Sequence, residues 1–218
     1  MDTILITKTN IDYWEEVIKN QPVSYKHWFD KEKDYLRKIV APNSKVLDVG
    51  CGNGRSIFDI LPLTQDVVGI DHEEKAIKDA VASFAQYPSV RFIQADATEM
   101  PFGNESFDFI ICMGTFANFA DKKTGILKEM RRVLKQSGKI IISVFSEDAF
   151  DERMKLYKQT GVKIKEIKGT TVVFDESLGD NISEQFSEQE LRVIFKQTNL
   201  KVEDMTKVDI AYLCTLSK

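Results

Sequence analysis

From about Val46 onward, short apolar runs alternate with amphipathic stretches, which is the pattern of a parallel sheet covered by helices. Residues 45–49, 66–70, 90–94, 107–113 and 139–145 read as five strands. Helices are expected between them over residues 53–61, 73–86 and 121–136. In the last of these, Ile126, Leu127, Met130, Val133 and Leu134 recur at helical spacing, and Gly138 lies just past the end, where a left-handed cap is expected. Lys122, Lys123, Arg131 and Arg132 then fall on solvated faces of that helix.

Upstream, residues 11–40 form two amphipathic segments separated by Pro22, the second closed by Pro42. Tyr25, Trp28, Phe29, Leu36, Ile39 and Val40 share one face of the second, the pattern of core packing. Downstream, residues 147–186 lose clear periodicity, carry Gly161, Gly169 and Gly179, and offer one strand at 170–174. This stretch reads as an insertion. Ser187 with Glu190 forms a capping-box pattern ahead of Leu191, Ile194 and Phe195, and residues 200–216 supply two more strands. The expected organisation is a single domain over 1–218: a helical cap (1–42), a sheet core (43–146), the insertion acting as a lid (147–186) and a final helix with a strand pair (187–218).

The chain has 218 residues, enough for one mid-sized domain with a buried core. With 30 basic against 34 acidic side chains its net charge is -4, so no overall positive field draws it to phosphate backbones or anionic lipid. Cys51, Cys112 and Cys214 are scattered and never paired as CxxC, which indicates neither a disulfide framework nor a metal site. No basic, apolar leader opens the sequence, and no run approaches the roughly 18 apolar residues of a membrane helix. A cytoplasmic protein free of the membrane is expected, as a monomer or homodimer.

The chemistry is concentrated in Val46-Leu47-Asp48-Val49-Gly50-Cys51-Gly52-Asn53-Gly54, a strand running into a glycine-rich turn and then a helix. Glycines serve where backbone turns tightly and a ligand comes close. Asp71 ends the next strand, 71 - 50 = 21 residues after the first glycine, at the offset where a carboxylate receives the hydroxyls of a ribose. Asp96 ends the third strand, so polar groups converge on one sheet edge, where open α/β sheets bind ligands. Taken alone, Asp71 is equally explained as a helix cap, Asp96 as a loop stabiliser and His72 as a surface residue. The glycines at 50, 52 and 54 depart from GxGxxG because Arg55 stands at the third glycine's place, and no GxxxxGK[ST] loop occurs. The nucleoside ligand therefore need not carry phosphates.

VLDVGCGNG, with GIDHEEKAI, QADATEMPF, FDFIICMGTF and LKEMRRVLKQSGKIIISVF in order, resembles the class I S-adenosylmethionine-dependent methyltransferase family over residues 45–145. The resemblance implies a Rossmann-like α/β fold: a seven-stranded, mostly parallel sheet with helices on both faces and an antiparallel last strand. It implies S-adenosylmethionine as cofactor and S-adenosylhomocysteine as product. The backbone of Gly50, Cys51 and Gly52 would pass along the methionine portion and Asp71 would hold the ribose. His72 would flank the adenine, Asp96 and Ala97 would read its edge, and Met113 and Gly114 would lie beside the sulfonium. Cys51 itself sits between the glycines as a small filler.

The segment Cys112–Phe119 is similar to small-molecule N-methyltransferases of the glycine methyltransferase type, which places Gly114 and Thr115 near the acceptor. The Asn/Asp-Pro-Pro-Tyr/Phe signature of enzymes that methylate base or glutamine amines is missing. No residue is identified as a catalytic base. In-line transfer needs water exclusion, so a lid is expected, drawn from Tyr13, Trp14, Tyr25 and Trp28 or from residues 147–186. Methylation of a small molecule at nitrogen or oxygen is the first expectation. RNA or protein methylation is the second, with Lys155, Lys158, Lys163, Lys165 and Lys168 as its cationic cluster, and a non-catalytic cofactor-binding module is the third.

Overall fold

The structure is a computed structural model that describes residues 16, 17, 19, 20, 22–175, 178 and 181–218. Pro22 precedes α1 (Val23–Ile39), whose buried residues Tyr25, Trp28, Glu32 and Leu36 recur every three or four positions and so form one stripe. The chain then alternates β1 (Val46–Val49), α2 (Arg55–Ile60), β2 (Val67–Asp71), α3 (Glu74–Ser83), β3 (Arg91–Gln94), β4 (Phe107–Met113), α4 (Lys123–Val133) and β5 (Leu134–Phe145). After α5 (Phe150–Thr160), the strands β6 (Ile164–Lys168), β7 (Thr171–Phe174) and β8 (Ile182–Ser183) make a separate antiparallel sheet. α6 (Glu188–Gln197), β9 (Lys201–Val208) and β10 (Ala211–Ser217) follow.

The main sheet has seven strands in the order β3-β2-β1-β4-β5-β10-β9. β10 runs antiparallel to both its neighbours, while the β3-β2-β1-β4-β5 ladder is parallel. The fold is thus the Rossmann-like arrangement expected. Successive side chains of a strand point to opposite faces, and the core divides accordingly: Ile140 and Ile142 join a cluster with α4, and Ile141 joins one with Ile57 and Ile60 of α2. α1 contributes to both, Tyr25 and Trp28 to the first and Leu36 to the second, where Val40 joins it from just past the helix end.

Four readings are corrected. α4 stops at Val133, where buried Leu134 turns extended and pairs with Phe107. Gly138 has no left-handed backbone; a Cβ there would stand 2.7 Å from the Asp108 carbonyl oxygen and 2.7 Å from Leu134 Cδ1, so close approach to β4 requires the glycine. Residues 147–186 are far from irregular: α5 and β6, as well as β7, come from this stretch. The expected solvated cations include two that are engaged. Lys123 pairs with Glu184 at 2.8 Å, and Arg132 donates to the Phe102 and Met100 carbonyls and to Glu129.

Candidate cofactor-binding site

β1 and β2 deliver Gly50 and Asp71 to the carboxyl edge of the sheet, beside the point where strand order reverses between β1 and β4. That edge is where an open parallel sheet leaves a crevice. Gly50, Gly52 and Gly54 have φ of 73°, 53° and 91°, in the left-handed region that costs an L side chain about 1–2 kcal/mol. At Gly54 a Cβ would also fall 2.4 Å from Phe84 Cε2.

The turn is held by its own contacts. The Gly50 and Cys51 amides both donate to the Ile70 carbonyl, at 2.8 and 3.0 Å. The Gly52 amide donates to Asp71 Oδ2 at 2.9 Å and the Glu73 amide to Asp71 Oδ1 at 3.0 Å. Thr115 Oγ1 donates to the Gly50 carbonyl at 2.9 Å. Asp71 is thus not the cap of α3, whose N-cap is Glu73; it braces the turn that leads into that helix. Its carboxylate has about four lone-pair sites, and His72 Nδ1 lies 3.3 Å from Oδ1, which leaves capacity on Oδ2 for a ligand hydroxyl. Burial pushes the Asp71 carboxyl up, but hydrogen bonds from His72 and the Glu73 and Gly52 amides outweigh it and hold it below its ordinary range. The same contact raises His72 against the opposing effect of burial.

These groups open onto a cavity of about 340 Å³, within the size range of small-molecule sites. Ile70, Ala76, Ala95 and Ile126 provide apolar surface, while Gly50, Gly52, Asp71, His72, Asp96, Ala97 and Thr115 contribute the expected wall. Asp96 is solvent-exposed; its Oδ1 accepts from the Thr98 amide and hydroxyl, each at 2.8 Å, which lowers its carboxyl. Lys122 Nζ stands 4.0 Å from Asp96 Oδ2.

Several expected residues are elsewhere. Cys51 is buried with its sulfur against Gly69, its amide is already engaged, and Met113 packs in the second core cluster. Tyr25 and Trp28 do not line the cavity; both are fully buried, and Trp28 Nε1 donates to Ser143 Oγ at 2.7 Å. Their rings pack with Phe145. Gly114 is also outside the wall, with the Trp28 ring 4.0 Å from where its Cβ would be. Tyr13 and Trp14 lie outside the described residues. Among wall residues the sequence did not single out, Asn118, Phe119 and Ala120 follow β4, and Asn181 and Ile182 arrive from the insertion. Ala120 has φ of 52°, a strained conformation of the kind found at ligand sites.

Beneath the turn is a buried polar group absent from the reading of the motif. Arg55 lies 2.7 Å from Glu32 of α1 and 4.3 Å from the Phe29 ring centroid. Burial raises Glu32 despite Arg55. Asp48, in the centre of β1, is pushed up to about 8 by burial, with Arg55 opposing and Asp71 and Glu32 adding to the rise. Its Oδ2 has no hydrogen-bond partner among the described residues.

Residues 41–199 match a family model described as a methyltransferase domain. The chain belongs to this methyltransferase family, in line with its resemblance to the class I S-adenosylmethionine-dependent enzymes. It is 36% identical over 101 residues to the uncharacterized methyltransferase YcgJ of Bacillus subtilis, covering 45% of this chain and 39% of that protein. It is 30% identical over 140 residues to the eEF1A lysine and N-terminal methyltransferase of Bos taurus, covering 61% of this chain and 20% of that protein. The matches therefore span well under half the length of either relative. The fold is shared with the Burkholderia thailandensis 1,6-didemethyltoxoflavin-N1-methyltransferase, whose crystal structure contains 1,6-didemethyltoxoflavin and S-adenosylhomocysteine. There the TM-score is 0.70 and identity 19%, with 95% of this chain and 85% of that one covered. The half-buried Asp71 carboxylate, the glycine-cleared edge and the cavity volume suit an adenosyl cofactor.

Proposed function

We propose that the enzyme methylates a small-molecule acceptor at nitrogen or oxygen, with Asp71 receiving the ribose hydroxyls and Asp96 and the Ala97 backbone facing the adenine edge. His72 flanks the adenine. The observation that carries the small acceptor is the wall of the cavity: Asn181 and Ile182 of the insertion close one side of it and narrow the approach. Asp71, Glu73, Asp96 and Asp121 also line it, against His72 and Lys122, a balance that repels a polyanionic acceptor. Fold kinship with an enzyme acting on 1,6-didemethyltoxoflavin supports the same reading.

When bound, the cofactor supplies a methyl group on a positively charged sulfur that leaves as a neutral thioether. The chain's part is positioning and exclusion of water. Glycine Cα atoms let the cofactor approach, Asp71 orients it through the ribose, and the apolar surface of Ile70, Ala76, Ala95 and Ile126 desolvates it. An amine acceptor must reach the site without its proton.

A protein acceptor is the second reading, favoured by the bovine relative's name. Incubation of the enzyme and methyl-labelled S-adenosylmethionine with a cell extract, followed by fractionation, tests the choice. Label in low-molecular-weight material is expected; label confined to protein or RNA refutes the small acceptor.

A further inference from the structure

Arg153 of α5 is fully buried, yet no carboxylate pairs with it among the described residues. A buried charge is costly unless its hydrogen-bonding capacity is met, and here neutral acceptors meet it. Nη2 donates to the Ser183 carbonyl at 2.6 Å; Nη1 donates to Gln185 Oε1 at 2.9 Å and to the Thr170 carbonyl at 3.2 Å; Nε donates to Tyr157 Oη at 3.3 Å. The guanidinium also sits 5.1 Å from the Phe145 ring centroid. The planar fork thus ties β8 and the segment after it to α5 and to the end of β5. Lysine, with a single ammonium on its stem, cannot reproduce that spread of donors.

What Arg153 holds is the side of the cofactor cavity supplied by the insertion. Ile182 lines the cavity and Ser183 is the next residue. Past it, the Glu184 amide donates to the Ala117 carbonyl at 2.9 Å, and Gln185 Nε2 donates to the Glu147 carbonyl at 2.6 Å. Contacts to Arg153 on either side of Glu184 therefore anchor the segment that carries Asn181 and Ile182, which pairs on its other side with β7 through Val173 and the Phe174 amide. We propose that Arg153 is a positioning residue for cofactor binding, acting through β8 without touching the cofactor; this rests on reading the cavity as the cofactor site.

The test measures S-adenosylhomocysteine affinity by calorimetry and amide exchange over residues 181–186 by mass spectrometry, in the full chain and in R153K and R153M. R153M is expected to weaken binding about tenfold, and R153K about threefold, with faster exchange at 181–186 in both. If R153M fails to fold, R153K carries the test. Affinity within about twofold of the unmodified protein in a folded R153M, or in R153K where R153M does not fold, overturns the proposal whatever happens to Tm. Failure of the unmodified protein to bind S-adenosylhomocysteine refutes instead the reading of the cavity, and the proposal with it.

Discussion

Asp48 is a carboxyl group at the centre of the sheet whose native pKa of about 8 stands far above its ordinary 3.8. Below pH 3.8 the group is protonated in both folded and unfolded chains and makes no difference to stability. From there to about pH 8 only the native state keeps the proton, so stability falls by about 1.4 kcal/mol for each pH unit. By pH 7 the accumulated loss is about 4 kcal/mol, and above the native pKa it reaches its full value. Asp48→Asn keeps the shape and removes the ionisation. The new amide must find an acceptor, and an unsatisfied one costs about 1–3 kcal/mol. The variant should accordingly be more stable than the parent by about 1–3 kcal/mol at neutral pH, and the difference should shrink or reverse as pH falls towards 4. Urea denaturation at several pH values measures this directly. Parallel stability profiles for parent and variant between about pH 5 and 8 would refute the reasoning, since they would mean that Asp48 carries its proton no more tightly when folded.

Asp71→Asn should fold but bind S-adenosylhomocysteine about 10- to 100-fold more weakly, because one neutral acceptor oxygen and an amide donor replace the two charged acceptor oxygens; calorimetry reports it, and unchanged affinity would remove Asp71 from the cofactor site. In the same variant, an NMR titration should show His72 losing protons at lower pH than in the parent, because the carboxylate that raises it is gone. Gly54→Ala combines a left-handed backbone with a contact of 2.4 Å to Phe84, for an expected destabilisation of about 2–5 kcal/mol; a loss of under about 0.5 kcal/mol in urea titration would show that the turn relaxes freely.

The sheet and its glycine turn were legible because their signals are local: apolar runs, glycine at three alternate positions, and an acid at the expected offset. The capping box at Ser187 was legible for the same reason, and both halves of it form. Long-range events were not. Glu32 occupies the buried stripe of α1, yet glutamate at helical spacing ordinarily signals a solvated face, and it is Arg55 arriving from α2, with Ser143 of β5, that makes its burial tolerable. Asn181 and Ile182 reach the cavity from more than a hundred residues beyond the glycine turn, with no motif to announce them. Cys51, between two glycines of the wall, is not part of it because its side chain turns inward against Gly69, a packing event that the motif does not announce. In the insertion, the short turns and glycines that blurred periodicity left the strand at 170–174 legible but concealed the helix α5 and the two strands, β6 and β8, that flank it.

The hydrogen bonds that satisfy the turn from within make the cavity at the sheet edge an instance of preorganisation. Its shape is set by Ile70, Asp71 and Thr115, so a ligand finds the concavity standing and surrenders little affinity to ordering backbone. The side drawn from distant chain has no such local frame, so alternative inserts between β5 and α6 would change both which acceptors are admitted and how tightly the donor is gripped.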